Sequence, residues 1–117
     1  MDDEKKPVRL DVEVVVESIV ERFAQTAPSL RRRRRELADQ IERACMSLML
    51  NLGESRGNHL GNRRLRLETA AGSAGELRKC VRFGALWGHF EREWAAEMDR
   101  DLDRVLAMLW RMRQRCE

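Results

Sequence analysis

Tyrosine is absent from this chain of 117 residues, and the other aromatics are three Phe and three Trp. Strands favour aromatic side chains, so this scarcity, beside abundant Leu, Ala, Arg and Glu, argues for helices. Seven Gly and two Pro are too few for collagen, a Pro-rich linker or a loop-rich β-sandwich. Three cysteines, Cys45, Cys80 and Cys116, lie far apart with no Cys-x-x-Cys pair, which excludes a zinc ribbon and a disulfide framework and suits reduced thiols in the cytoplasm. No apolar run approaches the ~20 residues of a membrane span; Val14-Val15-Val16 is typical of the short runs present. The start, Met1-Asp2-Asp3-Glu4-Lys5-Lys6-Pro7, has no apolar stretch, so no signal peptide is expected. Lysine is scarce too: 20 of the 23 basic residues are Arg, whose planar fork suits phosphates and carboxylates.

What is plentiful is charge, at 37% of residues beside a 43% hydrophobic set. That balance allows one packed domain under a charged shell. The net charge of +3 is unevenly spread: residues 29–66 carry 10 positive and 4 negative groups, net +6, whereas residues 1–28 are net −3. A basic middle third points to an anionic partner.

The apolar residues recur with helical period. Val12, Val15, Val16, Ile19, Val20 and Phe23 predict a first helix over residues 9–26, ended by Pro28, after a flexible segment of residues 1–8. Ser29 is a candidate N-cap for a second helix through Leu30, Leu37, Ile41, Ala44, Cys45, Leu48 and Leu52, ending near Ser55. The run Arg31–Arg35 would then surround that helix, and some of its side chains must snorkel or find a partner. Residues 55–61 read as a loop. A third helix is expected over 62–87, through Leu67, Ala70, Ala74, Leu77, Val81 and Phe83; Gly72 and Gly75 inside it would let another backbone come close. His89 and Phe90 open the next turn. The fourth helix carries Trp94, Met98, Leu102, Val105, Leu109 and Met112 in alternating steps of four and three. Leu106 and Trp110 widen this stripe enough to meet a second neighbour, in another subunit. The expected fold is all-α, an up-down-up-down four-helix bundle over residues 9–117, assembled into a homo-oligomer.

Few residues offer chemistry. Gly53, Gly57 and Gly61 recur every four residues, but no strand precedes them and no Gly-Lys-Ser/Thr follows, so they are not a phosphate loop. His59 and His89 sit in turns without metal-ligand spacing, and no His shares a helix with Ser47 or Ser73 to act as base. No enzyme activity, metal or cofactor is expected. One polar constellation stands out. Ser47, Asn51 and Glu54 share a face of the second helix, and Ser73 and Glu76 a face of the third. A hairpin turning near residue 58 places Arg43 near Ser73 and Glu76, and Glu54 near Arg63. This set is better read as a structural network fixing the hairpin register than as a ligand site.

The same residues carry a family pattern. Gln40-Ile41-Glu42-Arg43-Ala44, then Ser47 with Asn51-Leu52-Gly53-Glu54-Ser55, then Gly72-Ser73-Ala74-Gly75-Glu76 resemble the bacterial four-helix-bundle family that includes proteins encoded in intervening sequences of 23S rRNA genes and the accessory variability proteins of diversity-generating retroelements. Gly53 and Ser55 stand where that family usually has Ala and Gly, residues 56–68 depart from its usual Lys-Glu-Phe, and the first helix lacks its early aromatics. The resemblance implies a non-enzymatic homopentameric ring that binds RNA or DNA and a reverse transcriptase. With the charge skew, it makes Arg31, Arg32, Arg33, Arg35, Arg63, Arg64 and Arg66 the candidate nucleic-acid contacts, electrostatic and sequence-tolerant because the basic third itself lacks aromatics for stacking. The alternative is an oligomeric scaffold whose arginines pair with acids of neighbouring subunits, supplied by Glu91, Glu93, Glu97, Asp99, Asp101 and Asp103.

Overall fold

A computed structural model describes residues 11–57 and 60–116; the proposed flexible segment 1–8 and His59 lie outside them. The described residues form four helices and no strand: α1 Asp11–Arg33, α2 Arg35–Ser55, α3 Leu60–Leu86 and α4 Arg92–Gln114. Each helix packs against its chain neighbours, α1 also closes on α4, and the diagonal pairs bring no Cα atoms within 8 Å of each other among the described residues. This is the four-helix bundle that the periodicity predicts.

Its centre is built from steps of three and four. Leu67, Ala70, Ala74 and Leu77 of α3 and Met98, Leu102, Val105 and Leu109 of α4 are fully buried, as a seam of this period requires. Val12, Val16, Ile19 and Phe23 of α1 and Leu37, Ile41, Leu48 and Leu52 of α2 pack into the same core.

The first helical boundary differs from expectation. Pro28 does not end α1, which runs on to Arg33. Pro28 removes the N–H that would bond the Ala24 carbonyl, but Ala24 and Pro28 are both exposed, so water can serve that carbonyl. The apolar stripe meanwhile continues to Leu30, which belongs to α1 and is 1% exposed. Burial of Leu30 outweighs one missing hydrogen bond, and Ser29 is an interior residue of α1 rather than an N-cap. The arginine run therefore does not encircle one helix. It straddles a tight hairpin: Arg31, Arg32 and Arg33 close α1, where cations complement the helix dipole, Arg34 is the single joint residue, and Arg35 opens α2.

At the α3–α4 turn, Gly88 has φ +76°. The His89 N–H donates to the Gly84 carbonyl at 2.7 Å and the Gly88 N–H to the Ala85 carbonyl at 3.1 Å, the paired bonds of a Schellman C-cap. Gly72 and Gly75, expected to admit a close backbone, have nothing within 4 Å of the point where a Cβ would stand. All three cysteines are free and buried.

Arginine–carboxylate pairs stitch every adjacent pair of helices. Arg22 Nη2 meets Asp101 at 2.6 Å between α1 and α4, and Arg66 Nε meets Glu54 at 3.2 Å between α3 and α2. Arg78 forks onto both Asp99 oxygens at 2.8 and 3.0 Å and reaches Asp103 at 3.1 Å, joining α3 to α4. Arg31 bonds Asp39 and Glu42, joining α1 to α2. Part of the arginine excess thus serves the bundle itself, at roughly 0–1 kcal/mol per exposed pair.

Candidate functional site

The polar constellation of α2 and α3 forms, with three changes of partner: Ser73 meets Ser47 rather than Arg43, Glu76 meets Gln40 rather than Arg43, and Glu54 meets Arg66 rather than Arg63. Ser73 Oγ donates to Ser47 Oγ at 2.8 Å, and the Asn51 amide donates to the Ser47 carbonyl at 2.8 Å. Arg66 donates to Asn51 Oδ1 at 3.3 Å and pairs with Glu54. Glu54 therefore takes Arg66, one helical turn beyond Arg63. Arg43 does not meet Glu76 directly. Its guanidinium donates to Gln40 Oε1 at 2.8 Å, and the Gln40 amide donates to Glu76 at 3.5 Å. Arg43 and Glu76 are both exposed, so the burial cost expected of a broken buried pair does not apply. Replacing Glu76 with Gln is expected to change unfolding free energy by less than about 0.5 kcal/mol in a urea melt. The network reads as register-fixing: its hydroxyls and amide satisfy one another and the helix carbonyls.

The seven candidate arginines do not make one patch. Arg31 is held by Asp39 and Glu42, and hydrogen bonding to Asp39 pushes its pKa above the usual arginine value. Arg64 pairs with Glu68 at 3.6 Å within α3, and Arg66 is engaged by Glu54. At the other end of the bundle the picture differs. Arg32 and Arg35 are exposed and make no hydrogen bond or ion pair among the described residues. Arg33 reaches only the His89 carbonyl, at 3.3 Å. Arg34, absent from the candidate set, lays its guanidinium over Phe83 and Trp87 at 5.4 and 5.5 Å from the ring centroids.

Trp87 is the residue that sequence reading missed. It is 64% exposed, beside Leu86 at 75%, and its ring lies 5.9 Å from Phe83. The basic middle third lacks aromatics, but the end of α3 returns to the α1–α2 joint and supplies one. Only the antiparallel order of the helices could have revealed this, because Arg34 and Trp87 are more than 50 positions apart. Of the acids at this end, Asp39 and Glu42 hold Arg31, and the exposed Glu36, Glu91 and Glu93 form no ion pair with Arg32–Arg35. His89 contributes through its backbone; its Nε2 is buried without a partner.

No group of His, Cys, Asp or Glu among the described residues could hold a metal ion, and no described helix is long and apolar enough to cross a membrane. Burial, with the nearby Cys80 and Glu42 adding smaller effects, pushes the Cys45 thiol up to about 12; burial also raises Cys80. A raised thiol pKa stabilises the fold fully below the ordinary value near 9.0 and is lost as pH climbs toward about 12. In native protein at neutral pH, Cys45 and Cys80 should therefore react with a thiol reagent only as fast as the bundle opens, and urea should release them together with the loss of helicity.

The model of one protein family, described as 23S rRNA-intervening sequence protein, matches residues 10–111. No curated protein and no solved structure matches the chain.

Proposed function

Because the chain belongs to the 23S rRNA-intervening sequence protein family, we propose for it a role built on that bundle: a non-catalytic, basic accessory protein that binds RNA or DNA through arginines repeated around a homo-oligomeric ring. The observation that carries this reading is the run Arg32–Arg35, without ion pairs among the described residues, with Arg34 laid over the exposed Trp87 and Arg33 reaching the His89 carbonyl. Guanidiniums without counter-charges attract phosphates and release their counterions, and an exposed indole offers a face to an unpaired base.

Two unlike apolar patches support the ring. Met46 and Leu50 are exposed on one face of α2, and Leu65 lies with Gly72 on one face of α3. Trp110 is 57% exposed on α4, where Leu106 is half-buried. Unlike patches on one subunit suit a head-to-tail contact, which closes into a ring when the rotation allows. A homopentamer in the cytoplasm is the expected assembly, and the resemblance to accessory variability proteins of diversity-generating retroelements extends the proposal to a reverse transcriptase as protein partner.

A second reading has its own observation. Arg22, Arg31, Arg66 and Arg78 all pair with acids inside the chain, while Glu91, Glu93 and Glu97 are exposed and could take arginines of a neighbouring subunit, making the protein a scaffold. Light scattering and fluorescence anisotropy separate the two. The proposal expects a particle of about five times 13.7 kDa that binds labelled single-stranded RNA and DNA at low salt and loses both steeply as salt rises. An assembly that binds neither at low salt leaves the scaffold.

A further inference from the structure

At the end of the bundle opposite the Trp87 group lies a cleft of about 250 Å³ between the start of α1, the start of α3 and the end of α4. Three arginines line it: Arg63 from the first turn of α3, Arg111 from the last turn of α4, and Arg115, which caps α4. Arg111 and Arg115 are four positions apart and so share a face. Asp11 is the one acid in the lining, and Met108 and Met112 supply apolar wall.

None of the three guanidiniums has an ion pair among the described residues, unlike the arginines that stitch the helices. The Arg63 Nε is buried with no hydrogen-bond partner, a state that folded proteins rarely tolerate in a buried donor. The helix dipole explains part of this arrangement and not the rest. Cations at the C-terminal end of α4 are favoured, but Arg63 stands at the N-terminal end of α3, where a cation is disfavoured. The first turn of α3 also carries no acidic residue to offset it. Three cations without counter-charges, one with an unsatisfied buried donor, thus line one cleft.

We propose that this cleft is a phosphate site, in which Arg63, Arg111 and Arg115 bind a dianionic phosphate group. Guanidinium forks match phosphate oxygens with paired hydrogen bonds. The volume falls below the ~300–1,000 Å³ of sites that enclose drug-sized ligands. The group bound is therefore inorganic phosphate or the terminal phosphate monoester of a longer molecule whose remainder stays outside. The site lies apart from Arg32–Arg35, so it stands or fails independently of the proposed nucleic-acid surface there.

The test is thermal unfolding of the full chain against increasing inorganic phosphate, at ionic strength held constant with chloride. Saturable stabilisation is expected, lost in Arg63→Gln and in Arg115→Gln, and retained in the Arg32→Gln/Arg33→Gln/Arg35→Gln triple variant. Arg115 is exposed, so its variant keeps the test valid if Arg63→Gln folds poorly by far-ultraviolet circular dichroism. A second arm compares one oligonucleotide bearing a 5′-phosphate or a 5′-hydroxyl. Tighter binding of the phosphorylated strand by fivefold or more, abolished by Arg115→Gln, identifies a strand end as the source; equal binding beside phosphate stabilisation identifies free phosphate. Wild-type stabilisation that is absent, or that persists undiminished in both arginine variants, overturns the proposal.

Discussion

Replacing Arg32, Arg33 and Arg35 together with Gln is expected to weaken binding of single-stranded RNA and DNA about 100-fold at low salt, with the ring intact. Each arginine removed frees one phosphate per subunit, so the slope of log affinity against log salt should flatten by about 0.7 for each phosphate freed on a single strand. Trp87→Ala tests the other half of the surface. A base stacked on an aromatic ring is worth about 1–3 kcal/mol, so this variant should lose roughly 5- to 150-fold in affinity for single strands. It should keep its salt slope and its affinity for duplex, whose bases are already stacked. Trp87 is 64% exposed, so the variant should melt close to the wild type. Unchanged affinity in both variants would sink the surface. Loss of the ring in the arginine variant, with no binding by the wild type at low salt, would make these arginines subunit contacts and favour the scaffold.

A second large effect is expected at Gly84, and its sign should depend on Phe90. A Cβ at Gly84 would stand 2.4 Å from two carbons of the Phe90 ring. That ring cannot easily retreat: it is 7% exposed and packs 4.7 Å from Trp94, which in turn meets Phe23 at 5.8 Å. Gly84→Ala should therefore destabilise by about 1–3 kcal/mol through overpacking, despite the gain of roughly 1 kcal/mol from replacing a helical glycine. Phe90→Ala should cost about 3–5 kcal/mol by leaving a cavity. In that background the methyl at residue 84 enters vacated space, so Gly84→Ala should stabilise. Urea unfolding of the two single variants and the double closes the cycle. Stabilisation by Gly84→Ala in the otherwise wild-type chain would show that Phe90 does not hold its place over the helix.

These two sites differ in how far they could be read beforehand. The four helices were legible because each buries a stripe with spacing of three and four, and Leu67–Leu77 and Met98–Leu109 needed no partner to declare their inward face. Ser47, Asn51 and Ser73 were legible as polar positions on facing stripes, but their register was not: a turn near residue 58 set Ser73 against Arg43, and the packed hairpin sets it against Ser47, one helical turn further along α2. Pro28 misled because a local rule about a missing N–H was weighed without knowing that its side of α1 faces water and that Leu30 lies inside. The Arg43–Glu76 pair failed on reach: both lie outside the packed seam, where a nearer Gln40 intercepts them.

By itself, then, the chain determined the helical class, the inward residues and the concentration of arginine in its middle third, because periodicity and composition are local properties of a sequence. Which arginines remain without a carboxylate was decided only by the tertiary structure. Arg31 and Arg66 looked like Arg32 and Arg35 until packing placed Asp39 and Glu54 beside them, whereas the Arg64–Glu68 pair is four positions apart within α3 and follows from helical spacing alone. The meeting of Arg34 with Trp87, and of Arg63 with Arg111 and Arg115, joins residues distant along the chain. Such meetings depend on where the helices end in space, and spacing along the sequence holds no record of it.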